Sequence, residues 1–343
     1  MPTLLAEWAV HHYGAAATVE SVAPMPGNAG ISFGFDVVVT GSGGGSERHP
    51  LVIRVPPAGV RRKGNTDVLR QVPLLQALGA AGVPVPAVRW WGDDERWFGV
   101  PYLIVERLPG RSINVFDPDG SFFDLTPAGV ARVFRQAIDA LVAIHGLDWR
   151  RSLAEWDRPR SLADEITAWE PILAKGDDPD WIAAGLELRD ALLETRPEEP
   201  APGIIHGDFY TNNWVVDAEG RLRAVVDWEI SAIGPSLLDL GWLCMMYDPQ
   251  SWGPEERARI SWGPSVDSII AMYEAAAGRA VADVGWYRAL AGWRLGAITS
   301  LNVRLHRSGR RPDPVWEIMA ESYRFRIGRA LELARSSNRN AIA

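Results

Sequence analysis

Hydrophobic and polar positions follow two different rhythms along this chain. In the first third, short runs rich in β-branched residues, FDVVVT (35–40) and LVIRVP (51–56), flank the polar, glycine-rich GSGGGSERHP, a pattern that predicts a hairpin with a flexible tip. Apolar residues at Val68, Val72, Leu75 and Leu78 then recur at helical spacing and predict one helix over about 65–81, ended by the breaker GVPVP. Two further strands are expected at 87–92 (AVRWWG) and 101–108 (PYLIVERL). Together these elements describe a small, mostly antiparallel sheet carrying one helix.

From Thr126 onward the period is helical. Thr126 is a suitable N-cap, Pro127 suits the first helical position, and Val130, Val133, Phe134, Ala137, Ile138 and Leu141 fall on one face, with Gly146 as the stop. Further helices are expected near 162–174, 181–195, 254–277, 283–306 and 313–336. Residues 204–230 break the rhythm: GIIHGDFYTNNWVVDAEGRLRAVVDWEI reads as short strands joined by an AEG turn.

Length and composition narrow the class. At 343 residues, 47% hydrophobic and 23% charged, the chain has ordinary globular usage and enough length for two domains at about 150 residues each. The start, MPTLLAEWAVHHYG, lacks the basic residues of a secretory signal, and the apolar stretch Leu237 to Tyr247 is interrupted by Asp239 and falls short of the roughly 20 residues of a spanning helix. No membrane partner is expected. The single cysteine, Cys244, lies in the apolar run LGWLCMM and fits a reducing cytoplasm. A net charge of −8, carried wholly by residues after 110, speaks against a nucleic-acid partner.

Candidate chemistry concentrates in the exceptional segment. His206-Gly207-Asp208 follows Ile204-Ile205, Asn213 comes five residues after Asp208, and Asp227 ends the apolar strand Ala224-Val225-Val226. Such a set suits phosphoryl transfer, which needs one carboxylate to accept the attacking hydroxyl's proton, and a second carboxylate with an amide oxygen to hold magnesium. Isolated Asp and Asn residues more often form turns; the spacing and strand context favour chemistry here. His206 and His145 are read as structural hydrogen-bonders.

HGDFYTNN with a downstream VVDWE resembles the HGDxxxxN and DxE signatures of the aminoglycoside phosphotransferase and choline kinase-like family, a branch of the protein-kinase-like fold. IRVPP, GVPVPAVRWWGDDERWFGVPYLIVERLPG and VVDWEISAIGPSLLDLGWLC further resemble the phosphotransferase-like domains related to those fused to certain acyl-CoA dehydrogenases. The resemblance covers roughly residues 20–250. It implies an α+β, bilobal fold, with an antiparallel-sheet nucleotide-binding lobe over 1–110, a hinge near 105–110 and a mainly helical catalytic lobe over 111–343. It also implies Asp208 as catalytic base, Asn213 and Asp227 as metal ligands, Glu229 as the acid of DxE, and Asp239 as a structural acid. Adenine would be held by backbone groups in the Val105 to Leu108 segment, at Glu106 and Leu108. The phosphate-covering loop would be PMPGNAGISFGF, through Gly27, Asn28, Ala29, Gly30 and Ser32; no Walker motif occurs.

Two residues depart from the family pattern. The phosphate-gripping strand lysine is Arg54, and the helix glutamate that pairs with it falls on Gln71, so the ion pair would become a neutral hydrogen bond. Arg304, Arg307, Arg310 and Arg311 could hold an anion, and Trp242, Trp252, Trp262, Trp286, Trp293 and Trp316 could line an acceptor pocket or the core. The expected activity is transfer of phosphate from ATP, or GTP, with Mg²⁺ to a small-molecule hydroxyl. A nucleotide-binding regulatory module is the alternative motivated by Arg54 and Gln71, and a metal-dependent hydrolase is more remote because it lacks ligand histidines.

Overall fold

The computed structural model describes residues 1–25, 31–41, 44–56 and 64–337. They form two compact units. The first comprises Met1–Arg111, Trp149–Trp156 and Arg223–Ile230; the second comprises Ser112–Asp148, Asp157–Leu222 and Ser231–Ala343. The two later segments of the first unit lie outside the 1–110 lobe expected from sequence.

The first unit is built on a five-stranded sheet ordered β1-β2-β3-β5-β4, all neighbours antiparallel: β1 (Ala17–Met25), β2 (Ile31–Thr40), β3 (Ser46–Val55), β4 (Val88–Gly92) and β5 (Tyr102–Glu106). The expected hairpin is β2–β3, in register from Ile31 opposite Val55 to Thr40 opposite Ser46. Phe35, Val37, Leu51, Ile53 and Ile104 point into its core. Helix α1 (Pro2–Tyr13), absent from the sequence reading, opens with Pro2 in its first turn and buries Leu5, Trp8 and Ala9 in the same core.

The helix expected over 65–81 is shorter. Turns of 3₁₀ helix at Gly64–Thr66 and Val68–Arg70 precede α2 (Gln71–Ala80). Pro73 explains the late start, because a residue without an amide hydrogen fits only the first turn of a helix. Asp67 caps the preceding turn by accepting from the Leu69 amide at 3.2 Å.

In the second unit α3 (Pro127–His145) matches its expected cap, face and stop, with Thr126 Oγ1 accepting from the Gly129 amide at 3.2 Å. The apolar run forms α4 (Leu237–Met246), followed later by α5 (Val284–Arg307) and α6 (Tyr323–Ser337). Helix α5 is buried on nearly every side. Gly241 lets α4 lie against it: a Cβ there would meet the Tyr287 carbonyl carbon and oxygen at 2.5 Å.

Three long helices expected from sequence are each broken in two. The first becomes Leu162–Thr167 and Glu170–Leu173, with Pro171 in the second piece, and the next becomes Pro254–Arg259 and Val266–Ala277, separated by Gly263-Pro264. The last divides into Val315–Glu321 and α6 around Ser322. The Ser322 hydroxyl donates to Glu256 and accepts from the Gly253 amide. Among the described residues, no helix is long and apolar enough to cross a membrane.

Candidate active site

In the second unit the loop carrying Asp208 leaves the short strand Gly203–Ile205, which pairs with Ala232–Gly234. Gly207 adopts φ 91°, a left-handed conformation that glycine enters without strain. The resulting turn directs the amides of His206 and Gly207 to the two oxygens of the Asp239 carboxylate, each at 2.7 Å. Asp239 sits on α4 with no exposed surface. His145 approaches it through Nε2 at 3.5 Å and holds the Tyr273 hydroxyl through Nδ1 at 2.7 Å. Desolvation raises the Tyr273 phenol to about 12, so it stays neutral in that contact.

Asp208 itself is positioned from both sides. Its amide donates to His206 Nδ1 at 3.1 Å, which places the ring proton on Nε2. Asn213 Nδ2 donates to the Asp208 carbonyl at 2.8 Å and to its carboxylate Oδ2 at 3.0 Å. With the amide nitrogen committed, Oδ1 is the Asn213 atom suited to a metal. The loop is fastened by Thr211 Oγ1 to the Tyr247 hydroxyl at 3.0 Å and by Asn212 Oδ1, which accepts from the Val115 amide at 2.9 Å. Burial pushes the Tyr247 phenol well above its ordinary pKa.

The first unit brings together Arg54, Asp227 and Glu229. Arg54 stands on β3 opposite Ser32 and Leu103, and its Nη2 donates to Asp227 Oδ1 at 3.2 Å and to Glu229 Oε2 at 2.8 Å. Its buried Nε meets no acceptor among the described residues. Asp227 has φ 68°, uncommon for a residue with a Cβ and characteristic of strained functional positions. Oxygen donors dominate this set, as a hard divalent ion such as Mg²⁺ requires. Among the described residues Arg54 makes no hydrogen bond to Gln71, which is buried at the start of α2; the neutral bond expected from sequence is replaced by the two carboxylates.

Gly27, Asn28, Ala29 and Gly30 lie outside the described residues. Glu106 ends β5, its amide donating to the Ala87 carbonyl at 2.9 Å and its carboxylate accepting from Arg89, and Leu108 follows two residues on. The basic cluster near the end of α5 is partly committed: Arg307 grips Glu317 through two bonds and Arg304 donates to the Lys175 carbonyl. Trp252, Trp286 and Trp293 are wholly buried and belong to the core.

Sequence reasoning passed over Arg294. This α5 residue is 2% exposed, with Trp169 and Trp242 rings centred 4.8 Å and 5.5 Å from its guanidinium carbon. Burial lowers its pKa, Glu165, Asp239 and Asp208 oppose that shift, and Arg160 adds to it. The available signal was a cation inside the apolar run LAGWRLGAI.

A profile of the phosphotransferase enzyme family (APH) matches residues 29–293. The chain belongs to the phosphotransferase enzyme family. Its relatives include mouse acyl-CoA dehydrogenase family member 10, 27% identical over 200 residues, and human acyl-CoA dehydrogenase family member 11, 25% identical over 234 residues. Those alignments cover 57% and 65% of this chain but only 18% and 29% of the relatives.

Solved structures of the family share the fold. A Ralstonia eutropha protein assigned as an aminoglycoside phosphotransferase superposes with TM-score 0.75 at 23% identity, covering 97% of this chain and 98% of that one. The aminoglycoside phosphotransferase APH(4)-Ia, in ternary complex with AMP-PNP and hygromycin B, gives 0.61 at 16% identity over the same shares. Macrolide 2′-phosphotransferase MphH from Brachybacterium faecium gives 0.52 at 16% identity, covering 94% and 97%. The fold is therefore the α+β, protein-kinase-like fold of these phosphotransferases.

Proposed function

We propose that this chain is a MgATP-dependent O-phosphotransferase acting on a hydroxyl of a small molecule, with Asp208 as its catalytic base. The observation that carries the reading is the double hold of Asn213 on Asp208, through the carbonyl and through carboxylate Oδ2. A carboxylate held in this way can align the acceptor hydroxyl and take its proton as the new oxygen–phosphorus bond forms and the bond to the ADP leaving group breaks. Asn213 and Asp227 are the proposed metal ligands, Glu229 supports Asp227 through their shared hold on Arg54, and Arg54 supplies positive charge for the phosphates. Bound Mg²⁺ would neutralise charge on the phosphate oxygens. ATP binding is supported by the AMP-PNP in a structural neighbour; the backbone at Glu106 and Leu108, and the loop through Gly27, Asn28, Ala29, Gly30 and Ser32, are the proposed nucleotide contacts. The buried, reduced Cys244 suits a cytoplasmic protein.

The test is nucleotide-dependent stabilisation together with turnover. MgATP at millimolar concentration should raise Tm, because a ligand specific for the folded state stabilises it by mass action. ADP release with a metabolite extract should disappear in Asp208→Ala. No Tm shift would remove the reading.

One observation favours a second reading, a nucleotide-binding regulatory module with little turnover: Arg54 is held by Asp227 and Glu229 instead of by a helix acid. A Tm shift with MgATP and no phosphate transfer to any extract fraction would select it.

A further inference from the structure

Among the described residues, Arg294 is a buried cation without an anion of its own. Its Nε and Nη1 are buried and meet no hydrogen-bond acceptor among the described residues. The indole Nε1 atoms of Trp169 and Trp242, whose rings flank it, are likewise buried and without acceptors. Three carboxylates influence its charge, yet each is engaged elsewhere: Glu165 accepts from Arg160 at 3.1 Å, Asp239 from the His206 and Gly207 amides, and Asp208 from Asn213. Cation–π attraction to two indoles offsets part of the desolvation cost. It leaves the N–H groups unanswered, and a buried donor without an acceptor is costly.

The unanswered groups are all donors, so the missing partner is an acceptor, and beside a guanidinium an anionic one. A carboxylate suits the planar fork of an arginine, which can give it two parallel N–H···O bonds. We propose that Arg294, with Trp169 and Trp242 beside it, holds the carboxylate of the acceptor substrate, which is therefore a hydroxy acid. This rests on the phosphotransferase reading above: Trp242, whose ring flanks Arg294, stands three residues from Asp239 on α4, and Asp239 holds the turn that leads into Asp208, the base in that reading. One end of the substrate is fixed by Arg294 while its hydroxyl is presented to Asp208.

The test is binding of β-hydroxybutyrate, ω-hydroxyhexanoate and p-hydroxymethylbenzoate, each against its methyl ester, read by calorimetry and tryptophan fluorescence on the full chain. At least one acid should bind about tenfold or more tightly than its ester, because the ester keeps one carbonyl acceptor but loses the charge and the second strong acceptor of the pair. Arg294→Gln should abolish that preference and Arg294→Lys should retain part of it. Equal binding of every acid and ester, a preference that persists in Arg294→Gln, or displacement of the acids by equimolar inorganic phosphate would each overturn the proposal. If Arg294→Gln does not fold, the acid–ester comparison on the unaltered protein decides alone. A Tm increase with MgATP but no acid preference removes this inference and leaves the kinase reading standing. An Arg294-dependent acid preference without ADP release from MgATP would leave Arg294 as a carboxylate site but remove both the kinase reading and the claim that the bound acid is its acceptor.

Discussion

Arg54 and Asp227 are tied to each other: Nη2 of the arginine lies 3.2 Å from Oδ1 of the aspartate, across 173 residues of sequence. Glu229 shares the same nitrogen at 2.8 Å. All three side chains are mostly shielded, with 16%, 27% and 10% of their surface exposed, so the interaction is stronger than a surface pair. The cation proposed for the phosphates and the acid proposed for the metal therefore neutralise one another in this state, and ligands at either must compete with the other.

The Arg54 variants should show this arrangement in kinetics. Arg54→Ala should lower kcat/KM at least about tenfold, near 1.4 kcal/mol, with Arg54→Lys between it and the unaltered protein because the charge remains and the fork is lost. Adding Gln71→Glu to Arg54→Lys should not rescue activity, since Gln71 is buried and makes no bond to Arg54 among the described residues. Turnover in that double variant above the unaltered protein would sink the claim of a competent kinase.

Asp208→Ala should reduce turnover by about 10²–10⁴-fold while nucleotide affinity stays within a few-fold, because a base acts in the transition state more than in the ground state. Asp227→Ala should weaken Mg²⁺-dependent nucleotide binding by calorimetry. Unchanged MgATP affinity in that variant would dismiss Asp227 as a ligand.

Asp239 holds the turn before Asp208 and is itself fully buried. Asp239→Ala should therefore destabilise the fold by about 3 kcal/mol, the scale of losing two charge-assisted bonds from buried amides. Urea denaturation of the two proteins measures it, and coincident midpoints would contradict the assignment.

Two glycines provide a matched pair. Gly241→Ala should cost roughly 2 kcal/mol, because the new methyl collides with the Tyr287 backbone, which cannot swing aside as a side-chain end can. Gly328→Ala, on exposed α6 surface with nothing within 4 Å of the added carbon, should be neutral or stabilise by up to about 1 kcal/mol. Thermal melts that rank the pair the other way would show the packing of α4 on α5 to be looser than described.

Burial pushes the Cys244 thiol from 9.0 to about 12. At pH 8 the folded protein should thus resist a disulfide reagent that reacts promptly after unfolding in urea. The unfolded chain releases the proton first, so this group's contribution favours folding below pH 9 and is lost as pH rises from there toward 12. Prompt labelling of the native protein would contradict its burial.

What could be seen in the sequence was mostly what local chemistry dictates. The Thr126 cap, Pro127 and one apolar stripe fix α3 without help, and the Asp208–Asn213 spacing announces a loop whose amide and carboxylate meet. Helix α1 escaped notice because it is defined by what it packs against, Trp8 meeting Phe35 and Trp90 edge-on. The long helices were overextended where Pro171 and Pro264 were outweighed by the apolar period. Arg54 had carboxylates waiting from a distant segment, and Gln71 suggested the wrong partner because sequence offset alone carries no distance.

The first unit contains two segments from beyond its own N-terminal stretch, Trp149–Trp156 and Arg223–Ile230, and the second bears on how it can be made. A ribosome that has finished Arg111 has synthesised every strand of the five-stranded sheet but neither Asp227 nor Glu229. Until Arg223–Ile230 emerges, Arg54 has no carboxylate among those it holds in the finished protein. The nascent sheet must wait with a half-buried charge, and a fragment cut at Arg111 would keep that defect permanently. A circular permutant that begins at Arg223 would place those acids ahead of β3, so Arg54 would find them already synthesised.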